Sequence, residues 1–423
     1  MDAVTANVVG DIAVVLGASS LLGALARRLG QPTVVGQIAA GIILGPTLLG
    51  RLPGDPTSHP FTAQAMPFIS VIAQIAVVIF MFGVGYEIDL KSVHSHRRPV
   101  TLISVGAMLI PLALGTGIAL AVQHTDAFDG RHADGRSFIL FFGVATSITA
   151  LPVLATIVRE RGLAGTPVGN IATASAGLMD VSAWLVLAAA LIGTERAGNR
   201  SWLGTALLLA CFLAVMVLVV RPVLGWWFRR PNAVMSSQIP IALVLASAGA
   251  WATAGIGLHA IFGAFVAGLV MPKPDGTPDA DVLRSTEQSG GLLLPLFFVI
   301  TGLTTNLGTL SGSDVALLVV ILVCGVGGKA AAGYAMARLG GLDTRCSAMI
   351  GALVNTRGLT ELIALNVGLS AGLIDGRLFT VLVLMALITT GMTGPLITAI
   401  ERRTAALPVP HAPVPVAEAR GRS

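Results

Sequence analysis

The sequence predicts an all-α membrane protein that crosses the bilayer about thirteen times. Hydrophobic residues make up 54% of the 423 residues and charged residues only 11%, whereas a soluble domain carries about 25% charged residues. The mean hydropathy is +0.85. The apolar residues are gathered in stretches close to the length of about 20 residues that a membrane-spanning helix needs. Such a chain has too little charge to solvate a globular surface.

Marking the apolar stretches in order gives thirteen approximate spans. They are residues 8–28, 32–50, 66–86, 100–123, 137–159, 168–193, 201–221, 237–255, 257–272, 288–308, 314–337, 346–370 and 377–400. The eighth and ninth are divided only by AGIGLHA (254–260), which carries no charge. We expect a membrane domain over residues 1–404 and a disordered cytoplasmic tail over 405–423, because the tail is rich in Pro and Ala and has no apolar face.

The basic residues predict the orientation of the spans, because cytoplasmic loops carry an excess of Lys and Arg. With the N-terminus outside, Lys329 and Arg357 fall within spans and most other basic residues fall on the inner side. The exceptions on the outer side are Arg51, Arg131, Arg136, Arg196, Arg200 and Arg377. We therefore expect a multi-pass protein of the plasma membrane with its N-terminus outside and its C-terminus in the cytoplasm.

Two pairs of segments predict an internal repeat. GQIAAGIILGP (36–46) resembles FGAFVAGLVMP (262–272), and MFGVGYEIDL (81–90) resembles VITGLTTNL (299–307). Glycine-rich apolar helices can resemble each other by chance, but polar interruptions also occur at matching places in the fifth and twelfth spans. An odd number of spans separates the equivalents, so we expect inverted repeats of six spans, about 8–193 and 237–400, joined by a linker helix at 201–221.

The polar interruptions predict two broken helices. In the fifth span, ATSITALP (145–152) contains Pro152, which donates no backbone hydrogen bond, with Ser147 and Thr149 beside it. In the twelfth, NTRGLTE (355–361) contains Asn355, Thr356 and Gly358. Broken helices at membrane depth persist only where they face protein or a wet cavity, and two that cross commonly build an ion site.

Asp180 lies near the centre of the sixth span. One interpretation is a structural carboxylate that is paired with a helix end or a buried cation. We favour an ion-binding role, because ionisable groups at this depth are expensive and mark ion or proton pathways. Burial disfavours the charged form and a bound cation favours it, so the same carboxylate could hold H⁺ or a metal ion such as Na⁺ or K⁺, but not both. That competition is the basis of exchange.

Three further ionisable residues fall inside spans. For Lys329, neutralising a carboxylate or a helix C-terminus and taking part directly in transport are equally open interpretations. Arg357 and Glu361 are four residues apart, a spacing that places them on one helical face. We expect these two residues to form a structural pair that balances the ends of the half-helices.

Six motifs in order give the chain a family resemblance. It resembles the sodium/proton exchanger domain of the monovalent cation:proton antiporter-2 family, over about residues 8 to 400, and is most similar to the bacterial relatives of plant cation/H⁺ exchangers. The motifs are QPTVVGQIAAGIILGPTLLG, IAQIAVVIFMFGVGYEIDL, ATSITALPVLATIVRERGL, LHAIFGAFVAGLVMP, LLLPLFFVITGLTTNL and GALVNTRGLTELIALNVGL.

The resemblance implies an elevator mechanism, in which a core domain with crossed broken helices slides against a dimerisation domain of a homodimer. Asp180 matches the ion-binding aspartate, and Thr149 with Ser147 matches the polar break. Lys329 matches the basic residue that faces the aspartate. The motif of the twelfth span is matched by Arg357 and Glu361.

The chain departs from the family pattern at Met179, where members commonly carry Asp or Asn. A second carboxylate there is associated with electrogenic exchange, so its absence implies electroneutral one-for-one exchange. It also removes the natural partner of Lys329, which leaves Asp180 as an alternative partner for that ammonium group.

The leading hypothesis is therefore a secondary antiporter of Na⁺ or K⁺ against H⁺ that uses no cofactor. An exporter of an organic or ionophore-bound cation on the same scaffold is an alternative. A cation channel is less well supported, because the four-copy pattern of a filter loop is missing. We expect no enzymatic activity and no nucleic-acid partner, because no nucleophile–base spacing, metal cage or nucleotide-binding loop occurs.

Overall fold

The structure is a computed structural model. It describes residues 3–51, 61–87, 97–122, 135–192, 202–229, 238–273 and 277–405. Regular secondary structure in these ranges is entirely helical. Except for Ala405, the tail predicted over 405–423 lies outside the described residues, so its predicted disorder stays a prediction.

The helices are numbered in chain order over the described ranges. They are α1 Ala3–Arg28, α2 Thr33–Leu44, α3 Met66–Glu87, α4 Arg97–Val122, α5 Gly135–Ser147, α6 Leu151–Glu160, α7 Pro167–Ile192, α8 (Trp202–Val215, a π-helical turn Met216–Val220, and Arg221–Phe228), α9 Gln238–Ile256, α10 Ala260–Val270, α11 Ala280–Leu303, α12 Gly312–Leu339 (with a π-helical turn Val323–Gly327), α13 Thr344–Val354, α14 Leu359–Ser370 and α15 Gly376–Ala405.

Eleven segments of the described chain are long and apolar enough to cross a membrane. They coincide with eleven of the predicted spans, and the pairs α5–α6 and α13–α14 each form one interrupted crossing. The second and ninth predicted spans coincide with the shorter apolar helices α2 and α10, of 12 and 11 residues. The predicted all-α membrane fold is confirmed, while the count of thirteen spans stays a prediction.

The uncharged boundary between the eighth and ninth predicted spans is a real helix end. Helix α9 stops at Ile256 and α10 starts at Ala260. Between them Gly257 adopts a φ of 93°, a left-handed conformation that glycine takes without steric cost. Backbone geometry therefore ends α9 without a charged residue.

Helices α1–α3 and α9–α11 form one group, which we call the glycine-packed bundle. Gly41 of α2 lies directly against Gly302 of α11, and Gly268 of α10 lies against the backbone of Phe82 and Tyr86 in α3, where Gly85 in turn faces α10. These are the glycines of the two proposed repeats, and each packs against the other repeat. Equivalent close approaches therefore join α2 to α11 and α10 to α3, while the internal duplication stays a prediction.

The close packing at Gly268 makes a testable prediction. A Cβ atom there would overlap the carbonyl oxygen of Phe82 in the facing helix. We expect Gly268→Ala to destabilise the protein by about 1 to 3 kcal/mol, the usual effect of overpacking. Thermal unfolding of the detergent-solubilised protein measures this.

Gly117 provides the matched control. It lies in α4, and its Cβ atom would meet no atom within 4 Å. Gly117→Ala should leave stability unchanged or raise it slightly, because Ala is the better helix former. Equal melting temperatures for the two variants would show that the α10–α3 contact does not depend on a glycine.

Helices α4–α7 and α12–α15 form the second group, which we call the crossover bundle. Helix α4 packs on α5, α7 and α12, and α13 packs on α12 and α15. Helix α8 packs mainly on α9, with contacts to α10 and α7. This arrangement encloses the two interrupted crossings, α5–α6 and α13–α14, inside one bundle.

Candidate ion-binding site at the helix crossover

The two interrupted crossings meet through their non-helical segments. The backbone N–H of Ala150 donates to the carbonyl oxygen of Thr356 at 3.0 Å. The hydroxyl of Thr149 donates to the carbonyl oxygen of Val354, also at 3.0 Å. The break between α5 and α6 is thus hydrogen-bonded to the break between α13 and α14.

Proline and glycine shape the two breaks. Pro152 stands in the first turn of α6, a position where its missing N–H costs no hydrogen bond. Pro152 therefore lies in the first turn of a new helix and does not interrupt a continuous one. Gly358 precedes α14 with a φ of 156°, and a Cβ atom there would press on Val153 of α6.

Two buried cations cover the C-terminal end of α5. The Lys329 ammonium donates to the carbonyl oxygens of Ser147 and Ile148. The Arg357 guanidinium donates to the carbonyl oxygens of Ala145, at 3.1 Å, and Thr146. The last carbonyls of a helix have no partner within it and carry partial negative charge, so two cations satisfy this end.

Arg357 is also tied to the second crossing. Its guanidinium forms an ion pair with the Glu361 carboxylate at 2.7 Å, and both side chains are fully buried. Glu361 lies in the first turn of α14, where negative charge is favourable. The hydroxyl of Thr390, in α15, donates to the carbonyl oxygen of Arg357 at 2.9 Å. The loop between α13 and α14 is therefore held on several sides.

Asp180 is completely buried in the middle of α7, and neither of its oxygens has a well-formed hydrogen bond among the described residues. The backbone N–H of Leu151, at the start of α6, and the Lys329 ammonium are the positive groups that act on it. The carboxylate is therefore directed at the N-terminal end of a half-helix, the end that attracts anions.

The C-terminal end of α13 differs from that of α5. No Lys or Arg side chain of the described residues donates to its last carbonyls. The carbonyl of Val354 accepts a hydroxyl instead. Beside it, Asn355 Oδ1 and Thr356 Oγ1 are buried without a partner, as is Ser175 Oγ in the helix of Asp180. Within the described ranges, this part of the crossover therefore holds unpaired oxygen atoms and no basic side chain bonded to the end of α13.

Several predicted side chains point elsewhere than expected. The Ser147 hydroxyl donates to Val144 within its own helix, at 2.9 Å. No ion pair joins Lys329 to Asp180 among the described residues, because the ammonium is directed at the carbonyls of α5. Met179 lies beside Thr149, whose hydroxyl is 3.8 Å from the Met179 sulfur.

Two cavities approach the crossover from opposite sides, between the two bundles. One, of about 610 Å³, is lined by Pro152, Val153 and Leu359 at the crossover and by Phe298 of α11. The other, of about 670 Å³, is lined by Gln74 of α3, His259 and Asn366 of α14. Asp180 is fully buried and is not among the residues that line these two cavities, so its carboxylate does not face lipid.

Sequence reasoning missed some groups and assigned others incompletely. Thr390 was not singled out, although a threonine in an apolar span is a signal. Asn355 and Thr356 were assigned to the helix break alone. The unpaired oxygen atoms near α13 could be found only in the structure, because the positions of the backbone and hydroxyl donors at the crossover decide which oxygen atoms are hydrogen-bonded.

Comparisons with known proteins agree with this architecture. The family model described as "Sodium/hydrogen exchanger, transmembrane" matches residues 16–402. "Cation/H(+) antiporter 20" of Arabidopsis thaliana is 35% identical over 403 residues, which cover 92% of this chain and 48% of the plant protein. The chain thus spans about half the length of this relative.

Two further matches cover nearly the full length of the matched protein. "Na(+)/H(+) antiporter NhaS4" of Synechocystis sp. is 33% identical over 394 residues, 92% of this chain and 96% of the relative. Among solved structures, the sodium proton antiporter MjNhaP1 from Methanocaldococcus jannaschii at pH 8 superposes with a TM-score of 0.66 at 16% identity. The match covers 94% of this chain and 97% of that chain, and supports the shared fold.

Proposed function

Because the chain belongs to the sodium/hydrogen exchanger family, we propose that it is a secondary antiporter that exchanges Na⁺ or K⁺ for H⁺. The matched relatives are antiporters, and we assign no catalytic residue and no cofactor. The observation that carries the proposal is the Asp180 carboxylate, which is buried at the crossover and forms no ion pair among the described residues; the Leu151 backbone N–H is the one donor that acts on it there. An unsatisfied buried charge is expensive, so this group takes up either a proton or a cation.

Competition at Asp180 couples the two ion flows. Lys329 is already bonded to the carbonyls of α5 and Arg357 to Glu361, so neither cation satisfies the aspartate directly. The crossover bundle then changes sides only with a proton or a cation on Asp180. Both loaded forms carry the same charge, which supports electroneutral one-for-one exchange.

We assign the cation's further ligands to the C-terminal end of α13. Asn355 Oδ1 and Thr356 Oγ1 are unpartnered oxygen atoms, the ligand type that hard monovalent and divalent cations prefer. Ala150 is hydrogen-bonded to Thr356 and is followed by Leu151, whose N–H acts on Asp180. The same short segment therefore contacts both Asp180 and the backbone of Thr356. The Thr149 hydroxyl is bonded to Val354 of α13 and lies beside Met179 of α7. Ser147 contributes through its carbonyl oxygen, which accepts a hydrogen bond from the Lys329 ammonium.

Removing one of these oxygens should weaken cation binding without stopping transport. A polar contact to a charged group contributes about 1.5 to 3 kcal/mol, so Thr356→Val should raise the half-saturating cation concentration about tenfold or more. The maximal rate should be largely kept. Initial rates over a range of Na⁺ and K⁺ concentrations in proteoliposomes measure both.

Thr389→Val is the matched control for that variant. The Thr389 hydroxyl is buried in α15 and bonded to the carbonyls of Met385 and Ala386 in its own helix. Thr389→Val should therefore leave the half-saturating cation concentration unchanged. If both variants shift it equally, or if neither does, Thr356 is not a cation ligand.

The transport assay itself tests the function and its charge balance. Proteoliposomes with a pH gradient and a pH dye should show dissipation of the gradient when Na⁺ or K⁺ is added outside. Comparing Li⁺, Na⁺, K⁺ and Rb⁺ ranks the ions. Because we propose one-for-one exchange, an imposed membrane potential should leave the rate unchanged. A voltage-dependent rate would contradict electroneutrality, and no cation response would contradict the function.

The same vesicles distinguish the alternative transport classes. Competition of an organic or ionophore-bound cation with Na⁺ or K⁺ would favour the exporter. Currents that exceed carrier turnover and ignore the proton gradient would favour a channel. Neither alternative has a specific observation among the described residues, so antiport of a monovalent cation is the proposal.

We further propose an elevator motion, in which the crossover bundle moves against the glycine-packed bundle. The two cavities lie along the boundary between these bundles and end near the crossover from opposite sides. One polar contact across the boundary is the 3.0 Å hydrogen bond from Asn366 to Thr301. A cross-link between α14 and α11 at these positions should stop exchange, and its reduction should restore it.

We propose that the protein is a homodimer in the plasma membrane with its N-terminus outside. The membrane-spanning character is supported by the apolar helices and the orientation by the distribution of basic residues. Light scattering of the purified protein would give the assembly, and labelling of single cysteines in intact cells would give the orientation.

A further inference from the structure

A third pocket lies away from Asp180, between the ends of α1, α6 and α15. It has a volume of about 600 Å³ and is lined by Leu29, Gln31, Arg161, Pro395 and Arg402, among others. The pocket shares Gln31 and Arg161 with the larger cavity that approaches the crossover, where Arg27 also lines the wall. It therefore joins the two bundles at their edge.

Arg161 is held in place within this pocket. Its guanidinium donates to the Thr398 hydroxyl at 2.9 Å, to the Glu401 carboxylate at 3.2 Å and to the Gly394 carbonyl at 3.2 Å. The side chain nevertheless keeps 31% of its surface exposed. A guanidinium that is oriented by other contacts and still exposed is suited to bind a phosphate oxygen.

The charges around the pocket favour an anion. Glu401 is paired with Arg161, and Glu160 lies in the adjoining cavity. Four arginines outnumber these two carboxylates. Arg161, Arg402 and Arg27 line the pocket or the adjoining cavity, and Arg28 is exposed next to Arg27 in α1. The basic residues are therefore in excess at the level where the helices leave the membrane.

Two apolar strips run from the pocket towards the middle of the membrane. Leu21 and Leu25 of α1 and Leu29 directly after it are four residues apart and are 72%, 49% and 69% exposed, so they continue one face. On α15, Leu396 and Met392 are also exposed. A ligand with a charged head and apolar chains fits this combination.

We infer that this pocket binds the headgroup phosphate of an anionic phospholipid, with the acyl chains along the exposed faces of α1 and α15. Basic pockets between membrane helices are the usual sites for anionic headgroups. Free phosphate would use the same arginines but would gain nothing from the apolar strips. A bound lipid would contact Gln31 of the glycine-packed bundle and Arg402 of the crossover bundle together.

Native mass spectrometry of the purified, delipidated protein tests the site without any transport readout, so its failure is distinct from failure of the antiport proposal. Titration with phosphatidylglycerol should show saturable binding that is tighter than that of phosphatidylcholine with the same chains. Arg402→Gln should weaken binding of phosphatidylglycerol about fivefold, while Arg402→Lys, which keeps the charge, should not.

Arg345→Gln is the control, because Arg345 is exposed at the start of α13 and outside the pocket. It should bind phosphatidylglycerol like the unmodified protein, and higher salt should weaken binding. The inference is overturned if Arg402→Gln binds normally, if Arg345→Gln loses as much, or if phosphatidylcholine binds equally well. Complete displacement by glycerol phosphate at equal concentration would identify a soluble phosphate as the ligand and would also overturn it.

Discussion

Replacing Asp180 by Asn is expected to abolish cation-dependent dissipation of a pH gradient, to the level of vesicles without protein. Asn is nearly isosteric with Asp but can neither take up a proton nor present a negative charge to a cation. The side chain is fully buried at the crossover, and the amide oxygen of Asn can still accept from the Leu151 backbone N–H that acts on Asp180. The effect should therefore be on transport and not on folding.

Asp11→Asn is the matched control for this variant. Asp11 is also a buried aspartate within an apolar helix, 4% exposed, but it lies in α1 and outside the crossover bundle. It should keep most of the exchange activity. If Asp180→Asn exchanged ions at a normal rate, or if Asp11→Asn failed equally, the assignment of the site to Asp180 would be wrong.

Replacing Arg357 by Gln is expected to cause the largest loss of stability among single changes at the site. It leaves the Glu361 carboxylate buried without its 2.7 Å ion pair and removes the donors to Ala145 and Thr146. Removal of one partner from a buried pair costs about 3 to 5 kcal/mol. The melting temperature of the purified protein should fall by many degrees, and the yield of folded protein should fall with it.

The double variant Arg357→Gln with Glu361→Gln separates the contribution of the ion pair from that of the hydrogen bonds to Ala145 and Thr146. Neutralising Glu361 removes the unpaired charge, so the double variant should be more stable than Arg357→Gln alone. A second comparison is Arg161→Gln, which breaks a partly exposed pair with Glu401 and should cost about 1 kcal/mol or less. A small effect of Arg357→Gln, similar to that of Arg161→Gln, would contradict a structural role for the buried pair.

Much of the fold could be predicted because lipid imposes simple rules on a chain. Apolar stretches had to become helices, because a single membrane-spanning segment can pair its own backbone N–H and C=O groups in hydrocarbon only as a helix. The polar interruptions around Thr149 and Asn355 had to be enclosed by protein. Asp180 stood out because a carboxylate is rare at that depth. The helices α2 and α10, of 12 and 11 residues, are shorter than the length rule expects, and glycines pack them against α11 and α3.

The details of the site could not be predicted, because they depend on which groups the crossover brings together. The spacing of Arg357 and Glu361 indicated a pair, and the structure has an ion pair there. The partners of Lys329 are two backbone carbonyls of another helix, which carry no sequence signal. The same holds for the unpaired oxygens of Asn355 and Thr356, since pairing is decided by the chain around them.

The central claim is that a proton and a cation compete for the carboxylate of Asp180. Calorimetry of the purified protein in buffers with different ionisation enthalpies measures the number of protons released for each cation bound. We predict about one proton per Na⁺ or K⁺ near the pH at which the carboxylate changes its protonation state, and none for Asp180→Asn. Cation binding with no release of protons at any pH, or unchanged release from the variant, would contradict the account.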